Sequence, residues 1–114
     1  MSELLKTVYK ALNDLKLQDI VIYDFRGFSP YYDFQVIASA TNERQVSAAI
    51  NHVRQALPAG FDFHMEGAET SRWILFDLHS IIVHVMHRED REFYQIEKIF
   101  FEREKVSLEG QNGI

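Results

Sequence analysis

Trp73-Ile-Leu-Phe-Asp77-Leu-His79-Ser80-Ile-Ile-Val-His84-Val-Met-His87 is the stretch that decides the fold. Two short apolar runs flank a polar turn at His79-Ser80, which predicts adjacent strands closely joined. Neither run alternates cleanly between apolar and polar residues, so each presents an apolar surface on both sides. A strand of that kind is normally covered on both faces. The rest of the chain carries too few helical segments to cover both faces everywhere, so part of the lid is expected from outside the chain. That expectation points to a binding module before an enzyme.

Working outward, Leu4, Leu5, Val8, Leu12 and Leu15 recur at three- and four-residue steps and predict an amphipathic helix over 3–17, with Ser2 and Glu3 suiting its start. Ile20-Val-Ile-Tyr23 is a short β-rich run, Arg26-Gly-Phe-Ser-Pro30 is a turn-rich connector, and Asp33 to Ala38 is a second strand. Thr41 is placed to cap a second helix over 42–57, whose buried stripe is Val46, Ala49, Ile50, Val53 and Leu57, and Pro58-Ala-Gly60 ends it. Phe61, Phe63 and Met65 alternate with Asp62, His64 and Glu66, as in a half-exposed strand. Arg88 to Glu92 opens a last helix on which Phe93, Ile96, Ile99 and Phe100 are expected to share a face. The predicted order is α-β-β-α-β-β-β-α, an α/β (α+β) fold with a mixed, roughly five-stranded sheet and about three helices. Its second strand, second helix and third strand form a crossover unit whose strands run parallel. One domain over 1–103 and a flexible tail over 104–114 are expected.

Composition narrows the function classes. With 114 residues, of which 46% are hydrophobic and 13% aromatic, the chain builds a core of its own, and without Cys it has neither disulfides nor thiolate ligands. The start, Met-Ser-Glu-Leu-Leu-Lys, does not read as a secretory signal, and no segment approaches the ~20 apolar residues of a membrane span. A cytoplasmic location is expected. The net charge of −5, with both signs mixed along the chain, argues against direct nucleic-acid binding and suits a basic protein partner.

Chemistry-bearing constellations are sparse. Of five histidines, His84 and His87 lie three apart in a strand and so point to opposite faces, while His52, His64 and His79 fall on other elements. No metal site is expected. Ser29, Ser39, Ser71 and Ser80 lie near turns or strand ends, none in a nucleophile elbow, and no glycine-rich phosphate loop occurs. Carboxylates spaced by one residue occur only as Asp90-x-Glu92 and Glu102-x-Glu104, in charged helical stretches where a solvated face is the ordinary explanation. The lone Trp73 is either core or an interface anchor, and its place at the mouth of a strand, after the loop 67–71, suits the second role. Tyr31 and Tyr32 are similar candidates, and His84 is a hydrogen-bonded core or interface histidine.

Several of these residues resemble a known family in their joint order and spacing. Asp19-Ile-Val, Asp24, Ser29, Asp33-Phe-x-Val-Ile-Ala-Ser39 and Arg44-Gln-Val46 look like the first half of the ribosomal silencing factor (Iojap-like) family. Glu66-Gly67, Trp73-x-Leu-x-Asp77, Val83-His-Val-Met86, Arg91, Tyr94 and Ile96-Glu-Lys-Ile-Phe100 resemble its second half, the match running from about residue 10 to 100. The resemblance implies a nucleotidyltransferase-like fold without catalytic residues or cofactors. It further implies binding to the fourteenth protein of the large ribosomal subunit, a steric block on joining of the small subunit, and possible homodimers. The chain departs from the family pattern at Gln35, where an aromatic is usual, at Ala40 for Gly, at His79-Ser80 for Gly-Asp, and at Phe100 for Trp.

The expected partner-binding set is Trp73 and Met86 as apolar anchors, Glu66, Asp77 and Asp33 as an acidic rim, with His84 and Tyr31 beside them. Two rivals stand against this reading. One is a nucleotidyltransferase-like enzyme using Asp24, Asp77 and Asp90. The other is a self-associating scaffold, or an assembly factor of the large subunit.

Overall fold

The computed structural model describes residues 2–108. Its elements are α1 (Glu3–Asp14), β1 (Gln18–Asp24), β2 (Phe34–Ala40), α2 (Glu43–Ala56), β3 (His64–Glu66), β4 (Trp73–Asp77), β5 (Ile81–His87), α3 (Arg88–Tyr94), a 3₁₀ helix (Ile96–Phe100) and β6 (Lys105–Val106). Local signals account for the helix starts. The Ser2 hydroxyl accepts from the Leu5 N–H, and the Asn42 side chain accepts from the Gln45 N–H. The second cap is thus Asn42, one residue beyond Thr41. Asn42 is the last residue with extended backbone before the helix, and the Thr41 N–H instead donates to the Gln45 side chain at 2.8 Å.

The strands form one mixed sheet in the order β3-β4-β5-β2-β1-β6. β2 and β5 run parallel at its centre, and every other neighbouring pair is antiparallel. The expected crossover therefore lands differently. β3 has the same sense as β2 but is separated from it by two strands, β4 and β5. The reason is burial: β5, apolar on both faces, takes the central place, and the half-polar β3 goes to the edge. Only His64–Glu66 of the predicted third strand pairs, while Phe61 and Phe63 pack against the core from the loop.

A sixth strand appears where the tail was expected to begin. Lys105 and Val106 pair antiparallel with Tyr23 and Ile22, and the Asp24 N–H donates to the Glu104 carbonyl at 2.8 Å. Val106 and Leu108 pack on the core, which is why the chain continues in register here. Residues 109–114 of that tail lie outside the described residues. The last helix also differs. Gln95 adopts a left-handed conformation (φ 51°, ψ 47°) that ends α3, and the chain resumes as a tighter 3₁₀ helix. This break separates the four residues expected on one face: Phe100 is buried and Ile96 half-buried, whereas Phe93 and Ile99 are exposed.

α1 and α2 cover one face of the sheet only. Leu5, Val8, Leu12, Val46, Ala49 and Val53 meet Val36, Ala38, Ile74, Phe76, Val83 and Val85 in a single core. The loop into β4 is held by a close backbone approach. Gly67 has φ +88°, and a Cβ placed there would collide with the Trp73 carbonyl. Gly67→Ala therefore combines left-handed strain with a backbone clash and is expected to lower stability by about 2 kcal/mol. Urea unfolding measures this, and an unchanged midpoint would refute the packing assigned to Gly67.

Candidate functional site

Alternation along each strand divides the sheet into two faces. Trp73, Leu75 and Asp77 of β4 point away from α1 and α2, together with Ile82, His84 and Met86 of β5. From β2 come Gln35, Ile37 and Ser39, and β3 adds His64 opposite Asp77 and Glu66 opposite Leu75.

This second face has its own roof, but only over half its width. The segment after β5 turns back across β1 and β2, so that Phe100 lies 5.3 Å from both Tyr23 and Phe25, ring centroid to centroid, over Ile37 and Met86. A polar lattice fastens it. Arg91 donates to Glu97 at 2.7 and 3.0 Å, to the Ser39 hydroxyl at 2.9 Å and to the Asp19 carbonyl at 2.6 Å. The Tyr23 hydroxyl donates to Glu97 at 2.7 Å. The Arg91 guanidinium holds the Glu97 carboxyl below the usual carboxylate range, while burial, aided by this carboxylate, pushes the Tyr23 phenol well above its ordinary value. The roof ends at Tyr94, whose ring centroid is 5.5 Å from that of Trp73.

Beyond Tyr94, among the described residues, no further segment covers the face. Trp73, Leu75 and Ile82 form a half-buried apolar strip, bordered by exposed His64 and Glu66 and half-exposed Asp77. A shallow depression of about 350 Å³ lies between Glu66, Gly67, Glu69, Trp73 and Leu75. Arg72 anchors the start of this strip. Its guanidinium donates to Asp90 at 2.5 and 3.0 Å, to Glu89 at 3.2 Å and to Glu43 at 3.3 Å, which ties β4 to α3 and to the first turn of α2. Those acids, Asp90 foremost, raise its pKa further above the ordinary arginine value.

The residues expected at a partner surface separate into three groups. Trp73, Glu66 and Asp77 lie on the open strip. Asp33 and Tyr31 (83% exposed) sit in the β1–β2 connector, at the end of the sheet about 13 Å along β4 from Trp73. Met86 and His84 are corrections: at 0% and 7% exposure neither can touch a partner directly, because the 3₁₀ segment and Trp73 lie over them. Asp24, Asp77 and Asp90 of the enzyme alternative do not converge. Asp24 is engaged by Arg26 at 2.8 Å, which lowers its pKa, Asp90 is held by Arg72 at the opposite end of the sheet, and among the described residues no cluster of three or more His, Asp or Glu forms a metal site. Among those residues, also, no helix is long and apolar enough to cross a membrane.

Leu75, Ile82, Tyr94, Arg72 and Gln35 were not among the residues expected at a partner surface, although Leu75 and Tyr94 belong to the family-like pattern and Gln35 is one of its departures. Leu75 follows from the period of two starting at Trp73. Ile82 needs the β4–β5 register, and the Arg72 partnerships and the Gln35–His84 bond join residues far apart in the chain, with no local signal.

His84 lies beneath Trp73 and bonds to it. The Trp73 indole donates to Nδ1 at 3.2 Å, and Nε2 lies 2.9 Å from the Gln35 side-chain oxygen. Burial pushes the His84 pKa down from 6.5 to about 4, so the folded protein keeps the ring neutral. The unfolded chain binds a proton near pH 6.5 that the fold refuses until about pH 4. This contribution is therefore complete above pH 6.5 and falls as the pH drops toward 4, by on the order of 3 kcal/mol. Urea midpoints across that window are expected to decline more steeply in the parent protein than in His84→Gln. Equal slopes would contradict the assignment.

Comparison with known proteins agrees with this architecture. Residues 1–113 match the family described as "Ribosomal silencing factor during starvation". The chain is similar to the ribosomal silencing factor of Haemophilus influenzae, 43% identical over 99 residues that cover 85% of this chain and 97% of the relative. It is 34% identical to that of Halalkalibacterium halodurans, with 95% and 94% covered. A more distant relative, 28% identical over 73% of this chain and 39% of its own length, is the mouse protein named for mitochondrial assembly of the ribosomal large subunit. Crystal structures of proteins from Bacillus halodurans and Chromobacterium violaceum superpose with TM-scores of 0.81 at 32% identity, covering 93% and 99% of this chain and 98% and 97% of theirs. By sequence and by fold, the chain belongs to the ribosomal silencing factor family.

Proposed function

We propose that this protein silences translation in the cytoplasm by docking the Trp73–Leu75–Ile82 strip on the fourteenth protein of the large ribosomal subunit, where its bulk blocks joining of the small subunit. The observation that carries the reading is the half-roofed sheet face. The chain covers Ile37 and Met86 with its own 3₁₀ segment, then leaves the neighbouring apolar strip open beside an acidic edge. Burial of a half-exposed indole with aliphatic neighbours supplies the apolar centre of an interface, and the charged rim adds rate and register. Glu66, Asp77 and, further along, Asp33 suit a basic ribosomal protein, consistent with the net charge of −5. Inhibition is then occlusion, with no bond made or broken. A homodimer formed through the same strip competes with docking.

Trp73→Ala is expected to weaken binding to isolated large subunits at least tenfold, ~1.4 kcal/mol, with Leu75→Glu similarly impaired. Both should relieve the block on subunit joining in sucrose gradients. Trp73 also bonds to His84, so far-UV dichroism and a cooperative urea transition must accompany the binding data. Undiminished co-sedimentation of the folded variants would sink the site, and a parent protein that fails to bind large subunits would sink the function.

A further inference from the structure

Trp73, His84, Gln35 and Tyr32 form a continuous chain of hydrogen bonds that starts at the open strip and ends where Tyr32 packs against Phe25, beside the roofed half. Indole Nε1 is 3.2 Å from His84 Nδ1, His84 Nε2 is 2.9 Å from Gln35 Oε1, and Gln35 Nε2 is 2.9 Å from the Tyr32 hydroxyl oxygen. The chain crosses three strands diagonally, from β4 through β5 to β2, and ends in the connector before β2.

Chemistry gives this chain one direction. An indole N–H can only donate, so His84 Nδ1 must accept. A neutral imidazole that accepts at Nδ1 carries its proton on Nε2 and donates there. Gln35 must then turn its oxygen to His84 and its amide N–H to Tyr32, whose hydroxyl oxygen accepts. The hydroxyl hydrogen of Tyr32 is left over, and among the described residues no acceptor receives it. Tyr32 is half-buried, while Gln35 and His84 are 7% exposed and act only through their neighbours. Chains of this kind polarise each link in turn, which strengthens the terminal donor.

We infer that Gln35 and His84 are positioning residues that orient the Trp73 indole and present the Tyr32 hydroxyl as a donor to a main-chain carbonyl of the docked partner. The inference rests on the docking reading above. A carbonyl fits better than a carboxylate, because Asp33, the residue next to Tyr32, is exposed and repels anions. The relay also explains how a polar glutamine is accommodated near the start of a buried strand: its side-chain oxygen and its amide nitrogen each have a partner.

The single tryptophan makes the test direct, since a ¹H–¹⁵N spectrum contains one indole resonance. Gln35→Leu removes the acceptor from His84 Nε2, and the ring is then free to carry its proton on Nδ1, facing the indole donor. The indole resonance is expected to move, its exchange with water to quicken at least tenfold, and large-subunit affinity to drop about tenfold. Tyr32→Phe is expected to leave the resonance in place and weaken affinity about fivefold, near the value of one hydrogen bond. Gln35→Glu separates the two roles: its carboxylate still accepts from His84 and keeps the indole hydrogen-bonded, but makes Tyr32 donate inward, so indole exchange with water should stay slow while affinity falls as in Tyr32→Phe. An unmoved resonance in Gln35→Leu overturns the relay. Unchanged affinity in both Tyr32→Phe and Gln35→Glu overturns the donor role. If the parent protein does not bind large subunits, the docking reading and the part given to Tyr32 fall together, and the indole resonance still judges the relay by itself.

Discussion

The parallel ladder between β2 and β5, from Phe34 opposite Ile81 to Ala40 opposite His87, sets the geometry of everything around it. A parallel pair needs a long crossover, and here that crossover carries α2, β3 and β4. α2 lies on one face of the pair, and β4 returns to extend the sheet on the far side of β5. Once both helices of the first half are committed to that face, the opposite face has only the residues after β5 to cover it. They reach over β1, β2 and the end of β5 and stop at Tyr94. The open strip is thus a consequence of topology as much as of composition.

That shortage separates two kinds of apolar residue on one face. Ile37 and Met86, under Phe100 and the Arg91–Glu97 lattice, are core and contribute stability. Trp73, Leu75 and Ile82, beyond the roof, keep part of their area in water and gain from being covered by something else. Arg72 works at the boundary. By joining the start of β4 to Glu43, Glu89 and Asp90, it keeps α3 and its Tyr94 in register with Trp73. Polar groups under the strip are matched as well, since among the described residues no buried side-chain nitrogen or oxygen lacks a partner. In the docking proposed above, a surface prepared in this way would lose little order, which is the physical advantage of preorganisation.

Much of this was legible from local pattern. The amphipathic period of α1 and α2, the Ser2 cap, the hairpin around His79-Ser80 and the surplus of apolar residues on β4 and β5 all appear in the structure where the sequence places them. The family likeness, carried by Glu66-Gly67, Trp73-x-Leu-x-Asp77 and Val83-His-Val-Met86, agrees with the comparisons. The misplacements share one cause. Met86 reads as an anchor because it is apolar on a strand apolar on both sides, and nothing local reveals that Phe100, fourteen positions later, returns to cover it. The single helix expected after Arg88 fails at Gln95, whose left-handed conformation no glycine or proline announces.

The sequence by itself therefore determined α1, α2, the strands from β1 to β5 in outline, the Ser2 cap and the excess of apolar strand surface, because each depends on spacing within a few residues. Tertiary structure alone decided which face is roofed, which of Trp73 and Met86 stays within reach of a partner, and that His84 and Gln35 join Trp73 to Tyr32. Those outcomes depend on strand order and register, which bring together side chains 49 positions apart in the relay and 74 apart beneath the roof. Short-range periodicity carries no information at that distance.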